Sequence, residues 1–166
     1  VRRFGFFKLF ENIKLNEIIF IKKLGPEPFS KIFNINYFKN FIKNKKKNIK
    51  NLLMDQTFVS GLGNIYVNEV LFMSKVHPLK MCDSLNKKTI KNLILNVKKV
   101  LKFSISKGGS SIRDFKNTFG KSGSFQQFFH VYAQENNNCS RNSCTGKIKK
   151  ILISSRSTFY CNNCQK

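Results

Sequence analysis

The chain has 166 residues and a formal net charge of +23, with 31 lysines and arginines against 8 aspartates and glutamates. This length suits one sizeable domain with a small appendix, and no apolar run approaches the roughly 20 residues that a membrane-spanning helix needs. The excess of positive charge predicts a polyanionic partner, either nucleic acid phosphates or an anionic membrane surface. AT-rich coding, which favours lysine and asparagine, would also raise this charge.

The first part of the chain, residues 1–23, has a strand-like pattern. Apolar residues between Phe4 and Phe10 recur with a period close to two, and Ile18–Ile21 is a short apolar run typical of a buried strand. The N-terminus lacks the long apolar stretch of a signal peptide, so we expect a cytosolic protein. The prolines of Leu24–Pro28 then predict a stiff turn.

The middle of the chain predicts helices. Apolar side chains at helical spacing predict one helix within 34–47, one over 48–56, one from Asn64 to about Lys75 and one over 85–107. Asn64 follows a glycine-containing connection and is predicted to cap the third helix. The fourth helix carries one apolar stripe that extends to Ile105, and the following glycines predict its end.

The tail predicts a zinc ribbon. Two close cysteine pairs flank a segment with a β-hairpin pattern, whose turn is predicted at Ser154-Ser155. The predicted ligands are Cys139, Cys144, Cys161 and Cys164. Four thiolates leave no open position for water, so we expect one structural Zn²⁺. Cys82 stands apart and is predicted to be a buried small hydrophobe.

A longer motif identifies a family. The segment Leu53–Phe72, with Gly61-Leu-Gly63-Asn64-Ile65-Tyr66 at its centre, resembles the helix–two-turn–helix signature of formamidopyrimidine-DNA glycosylases. Further blocks follow the family's order and extend the resemblance over nearly the whole chain: Arg2-Arg3-Phe4-Gly5, Leu24–Pro28, Gly108-Gly109 with Asp114-Phe115, and Arg156–Cys161. Glycines 61 and 63 allow close backbone approach to a phosphate, and the helix start after them offers free N–H groups.

The resemblance implies a mostly α fold with small β structure. Residues 1–23 would be the last strands of an N-terminal catalytic β-sandwich. Residues 24–130 would form the helix–two-turn–helix DNA-binding domain, and residues 131–166 the zinc finger. The first cysteine pair has four intervening residues where the family usually has two, which we expect to distort one knuckle without abolishing zinc binding.

The resemblance also implies DNA-binding roles for five residues. Asn64 would contact the DNA backbone near the lesion, and Arg156 would grip the phosphates that flank the flipped nucleotide. Arg2 and Phe4 would enter the duplex when that nucleotide leaves the stack. Lys121 would lie in the segment that closes over the extruded base.

The implied activity is base-excision DNA repair in the bacterial cytosol. A monomer would act as DNA N-glycosylase and AP lyase on oxidised purines, namely 8-oxoguanine and formamidopyrimidines, in double-stranded DNA, with no membrane partner. The family's catalytic proline and glutamate have no counterpart in Val1-Arg2, so we expect no catalytic residue in this chain and no base excision by it alone. His77 and His130 are predicted to be structural, and Glu69 to orient the turns beside Asn64.

Two alternatives stay open at this point. One is a noncatalytic zinc-containing DNA-binding remnant. The other is a sibling glycosylase of the same fold that prefers oxidised pyrimidines.

Overall fold

The computed structural model describes Leu9, residues 18–110 and residues 123–166. Within these parts the chain forms helices α1 (Ile19–Lys22), α2 (Ile35–Ile42), α3 (Ile49–Leu53), α4 (Asn64–Ser74) and α5 (Lys87–Ser106), and strands β1 (Ile148–Ile153) and β2 (Arg156–Cys161). Short 3₁₀ turns occupy Cys82–Ser84 and Phe125–Phe128. The mostly helical fold with a small sheet is confirmed. Arg2, Phe4 and Lys121 lie outside the described residues.

The apolar run before the first proline is helical. Ile18–Ile21 was predicted as a strand, and this is wrong, because Ile18 is the N-cap of α1. A run of four apolar residues has no periodicity that separates a strand from a helical turn. Ile21 is 38% exposed, so this residue is also less buried than expected.

Asparagines set the starts of three helices. The side chains of Asn34, Asn48 and Asn86 accept hydrogen bonds from backbone N–H groups in the first turns of α2, α3 and α5. Each bond satisfies one of the donors that a helix start leaves unpaired. The basic run after α2 lies outside the helix, so α2 is shorter than the predicted segment 34–47.

Helices α4 and α5 form the antiparallel centre of the fold. Asn96 near the middle of α5 donates to the Ser74 hydroxyl at the end of α4 (2.9 Å), whereas Ser104 near the end of α5 bonds the Tyr66 hydroxyl near the start of α4 (3.0 Å). The predicted stripe of α5 is buried as far as Val100, but Ile105 is 69% exposed. None of the helices in the described ranges has the length and apolarity needed to cross a membrane.

A Schellman motif ends α5. The N–H of Gly109 bonds the carbonyl of Ser104 (2.9 Å), and the N–H of Gly108 bonds that of Ile105 (3.0 Å). Gly108 has φ +72°, a left-handed conformation that glycine adopts without penalty. The helix end predicted from the glycine pair is therefore confirmed.

The main core lies between α2, α3, α4 and α5. Phe58, in the connection before α4, is fully buried and its ring centroid lies 4.9 Å from those of Phe38 and Phe41. Cys82 is buried in the same core, as predicted. A second, smaller cluster joins the sheet to α4 through Phe72.

The two strands form the predicted hairpin. β1 and β2 pair antiparallel, from Ile148 opposite Cys161 to Ile153 opposite Arg156. Ser154 and Ser155 connect them with φ of 48° and 59°. Two consecutive residues with positive φ are typical of a type I′ turn, whose twist matches that of the flanking strands.

Candidate nucleic-acid interface and metal centre

The four predicted metal ligands lie together at the base of the hairpin. The Sγ atoms of Cys139, Cys144, Cys161 and Cys164 all lie within 4.8 Å of one another. Sγ of Cys139 is 3.9 Å from Sγ of Cys164, and Sγ of Cys144 is 3.6 Å from Sγ of Cys161. Tetrahedral thiolates about 2.3 Å from a shared zinc would be roughly 3.8 Å apart. The geometry fits this metal, so the longer first knuckle still brings its cysteines into place.

Electrostatics at the sulfur cluster favour a bound cation. The backbone N–H of Gly146 lowers the pKa of Cys144 to about 7, whereas burial, with the neighbouring sulfurs, raises the pKa of Cys164 to about 12. Four sulfurs this close cannot all ionise unless a positive charge offsets their repulsion. A Cβ on Gly146 would lie 2.7 Å from Sγ of Cys161, so this position requires glycine.

A buried carboxylate joins α4 to the segment before the ribbon. Glu69, 1% exposed, accepts hydrogen bonds from the backbone N–H groups of His130 (2.9 Å), Val131 (3.0 Å) and Tyr132 (2.9 Å). The expectation that Glu69 orients the turns beside Asn64 is therefore wrong. Three N–H donors stabilise a carboxylate without a counter-charge.

The cysteine end of the ribbon is also bonded to α4. The Arg141 guanidinium donates to the carbonyls of Phe72 (2.6 Å) and Met73 (3.2 Å) and lies 4.5 Å from the centroid of the Phe72 ring. This cation therefore stabilises the end of α4. Gln165, 3% exposed, accepts from the N–H of Cys161 and donates to the carbonyl of Val76.

The start of α4 presents backbone donors. Gly61 has φ +83°, and Gln56 stabilises the turn by accepting from the Gly61 N–H and donating to the Leu62 carbonyl. Gly63 is the N-cap and has no side chain to accept from the first turn. Asn64 is the first residue of α4 and not its cap, so the capping prediction is wrong. An uncapped helix start with its positive dipole end is a ready anion site.

Asn64 is held from two sides. Its Oδ1 accepts from Nζ of Lys50 at 2.5 Å, and its Nδ2 donates to the carbonyl of Ser157 in β2 at 3.0 Å. Lys50 is 1% exposed and also donates to the Thr158 hydroxyl at 3.2 Å. Burial, with a smaller effect from the Arg156 charge, lowers the pKa of Lys50 to about 8. A buried ammonium therefore lies directly behind the residue predicted to contact DNA.

Arg156 lies at the same end of the molecule as Asn64. It is the first residue of β2, it is exposed, and it precedes Ser157, whose carbonyl Asn64 bonds. The hairpin turn beside it is attached to α3 by the bond between Ser154 Oγ and Asn51 Oδ1 at 3.1 Å. The structure thus brings together two of the five predicted DNA-binding residues. We call this group the Asn64 site; its residues are Lys50, Gly61, Gly63, Asn64 and Arg156.

Lys50 was not predicted from sequence. It lies in α3, where Ile49, Leu52 and Leu53 are also buried. Helical spacing places Lys50 next to this apolar face, and this position was the sequence signal that could have indicated its burial. Its polar partners come from α4 and β2, and no local pattern shows them.

Comparisons with known proteins agree with this geometry. A family model described as the formamidopyrimidine-DNA glycosylase H2TH domain matches residues 24–116. The formamidopyrimidine-DNA glycosylase of Roseobacter denitrificans is 41% identical over 165 residues, covering 99% of this chain and 58% of the relative. That of Rickettsia bellii is 46% identical over 165 residues, covering 99% of this chain and 59% of the relative. The chain thus spans about 60% of the length of the curated relatives it matches.

Solved structures with the same fold contain DNA. A complex between the Lactococcus lactis Fpg and DNA containing an abasic site matches with a TM-score of 0.80 and 39% identity, covering 87% of this chain and 52% of that chain. A complex of the same protein with DNA containing FAPY-dG matches with a TM-score of 0.78 and 39% identity, at the same coverage of 87% and 52%.

Proposed function

Because the chain belongs to the formamidopyrimidine-DNA glycosylase family, we propose that it supplies the DNA-binding half of a base-excision repair enzyme. The observation that carries this proposal is the Asn64 site. An uncapped helix start, a buried lysine and an exposed arginine from the hairpin lie at one end of the molecule. Phosphate contacts of this kind position a protein on a duplex without reading its sequence.

Each group at the site has a distinct role toward a phosphate. The first-turn N–H groups of α4 would donate to its oxygens, and the Arg156 guanidinium would offer a forked pair of donors. Lys50 would hold the Asn64 side chain and add positive charge from behind. Gly61 and Gly63 carry no side chain that would block this approach.

The activity proposed for the whole protein is DNA N-glycosylase and AP lyase on oxidised purines in double-stranded DNA. The solved neighbours support this partner, since they hold DNA with FAPY-dG or an abasic site. We assign no catalytic residue within residues 18–110 and 123–166. The roles of Arg2, Phe4 and Lys121 at the flipped nucleotide, a monomeric state and a cytosolic location remain part of the proposal.

The sulfur cluster would hold one Zn²⁺ with a structural role. Bound zinc would cross-link the two cysteine knuckles and take part in no step of the reaction. The apolar cluster of the ribbon is small, so the metal would supply much of the folding free energy of this part. Its mechanical role is to hold the base of the hairpin that presents Arg156.

The test is a binding titration of the 166-residue chain. Fluorescence anisotropy would follow a duplex with a central abasic-site analogue over a range of salt concentrations. We expect Asn64→Ala and Arg156→Ala to weaken binding, and log K to fall by roughly 0.9 per phosphate contact for each log unit of salt. Lys39→Ala is the matched control, because Lys39 is an exposed cation on α2 outside the Asn64 site.

Two results would contradict the proposal. One is equal affinity of the parent and both site variants. The other is an equal loss in Lys39→Ala, which would show that net charge alone drives binding.

A further inference from the structure

We infer that a lysine-lined depression at the far end of α4 binds the phosphate backbone of a second nucleic-acid segment. This inference rests on the proposed function, since it adds a second contact to a DNA-binding protein. The depression has a volume of about 550 Å³. We call its cations the distal lysines; they are Lys75, Lys80, Lys88, Lys91 and Lys166.

The distal lysines lie at the opposite end of α4 from the Asn64 site. Asn64 begins α4 and Lys75 is its C-cap, so the 11 residues of the helix separate them, a distance of roughly 16 Å along the axis. Helix α5 runs antiparallel to α4, and Asn92 near its start donates to the Ser74 carbonyl at 3.4 Å. Lys88 and Lys91 therefore lie at this far end as well. Because the free N–H groups of a helix start point along its axis, a phosphate at the Asn64 site would lie beyond one end of α4 and the distal lysines lie at the other.

The basic surface continues on both sides of the depression. A neighbouring depression shares Lys91 with it and adds Lys87 and Lys98 of α5. On the other side, a depression beside the cysteine knuckles shares Lys75 and Lys166. The cations thus form a continuous tract, as a duplex backbone requires, and not an isolated point.

In the described parts of the chain, no acidic side chain forms an ion pair with a distal lysine. The two ion pairs found there are Lys47–Asp55 and Lys150–Glu135, and neither includes a distal lysine. The first turn of α5 contains no acidic residue, yet it carries Lys87 and Lys88. Cations at a helix start oppose the helix dipole. A bound polyanion would offset this unfavourable interaction, and binding would also release the counterions of the polyanion.

The lining of the depression favours nucleic acid over a membrane. Among its lining residues Leu95 is the one exposed large apolar side chain, and the lining includes no aromatic residue. Surfaces that insert into lipid carry several aromatic or large apolar side chains beside their cations. A protein with two separate phosphate-binding ends can hold two duplex segments and pass directly from one to the other.

The experiment measures dissociation from a first duplex. The 166-residue chain is bound to a fluorescent duplex with an abasic-site analogue, and increasing concentrations of unlabelled duplex are added in stopped flow. If the protein has one binding end, the observed dissociation rate is independent of competitor concentration. With a second end we expect the rate to rise several-fold across the competitor series.

Two variants with equal loss of charge separate the tract from net charge. One carries Lys75→Gln, Lys88→Gln, Lys91→Gln and Lys166→Gln. The control carries Lys31→Gln, Lys39→Gln, Lys43→Gln and Lys46→Gln, at exposed lysines outside the tract. We expect the first variant to lose the dependence on competitor and the control to keep it.

Several outcomes would overturn the inference. They are a rate independent of competitor in the parent chain, equal loss in both variants, and acceleration by vesicles of phosphatidylserine but not by duplex. If the chain binds no duplex at all, the proposed function fails together with this inference. Normal binding of the first duplex with competitor-independent dissociation would refute this inference alone.

Discussion

We predict that the buried lysine behind Asn64 makes DNA affinity depend on pH. Lys50 is 1% exposed, and burial, with the Arg156 charge, lowers its pKa to about 8 from an ordinary value of 10.5. In the free protein the ammonium is therefore protonated at pH 7 and mostly neutral at pH 9. A phosphate bound at the Asn64 site would favour the charged form and raise the pKa again.

The size of the effect follows from linkage between protonation and binding. If the DNA complex restores the ordinary pKa of Lys50, binding above pH 8 must take up a proton, so affinity falls as pH rises. Free and bound values of about 8 and 10.5 predict that the association constant falls about tenfold between pH 7 and pH 9. Ordinary solvated lysines keep their protons over this range.

The matched variant is Lys50→Met, which preserves a long unbranched side chain and removes the ammonium. We expect it to bind more weakly than the parent at pH 7 and to show a nearly flat profile from pH 7 to pH 9. Anisotropy titrations with one duplex, at constant ionic strength, give both profiles. Circular dichroism at each pH checks that both proteins stay folded.

Two results would refute this reasoning. Parallel pH profiles for the parent and Lys50→Met would show that another group causes the dependence. A flat profile in both would show that the bound phosphate does not interact with Lys50.

Three further predictions concern the ribbon. Elemental analysis should find one zinc per chain, lost in Cys161→Ser and retained in Cys82→Ser; the reverse pattern would contradict the ligand assignment. Gly146→Ala should lower zinc affinity in a chelator competition, because its Cβ would lie 2.7 Å from Sγ of Cys161, whereas unchanged affinity would contradict this close approach. Glu69→Gln should lower the free energy of unfolding by about 2 kcal/mol in urea denaturation, since bonds to a charged acceptor are the stronger ones; no change would show that the carboxylate does not anchor the ribbon.

Local sequence was sufficient to predict the clustering of the four cysteines. The two cysteines of each pair are close in sequence, and the segment between the pairs has a hairpin pattern. The structure places the Sγ atoms of Cys139, Cys144, Cys161 and Cys164 within 4.8 Å of one another. The turn at Ser154-Ser155 was predicted for the same reason, because hairpin geometry depends on adjacent residues. The helical segments were predicted from apolar periodicity, although their bounds shifted by several residues.

The charged interior could not be predicted in this way. Lys50 and Glu69 are buried because of partners far away in the chain: Lys50 bonds Thr158, and Glu69 bonds the segment 130–132. A single sequence gives no signal for such distant pairs. The cap assignment of Asn64 failed for a different reason, because Gly63 occupies that position and frees the asparagine side chain for Lys50 and β2.

The sulfur cluster and the Asn64 site are coupled through β2. Arg156 begins this strand and Cys161 ends it, so about 17 Å of extended backbone separates the arginine from the cysteine. Between them, Asn64 bonds the Ser157 carbonyl, and Asn68 accepts from the Phe159 N–H at 2.6 Å. The strand therefore has two attachments to α4, and a metal bound at the sulfur cluster would add a third. We expect loss of this third attachment to free the base of the hairpin and to displace Arg156 from the uncapped start of α4, although the metal itself would contact no phosphate.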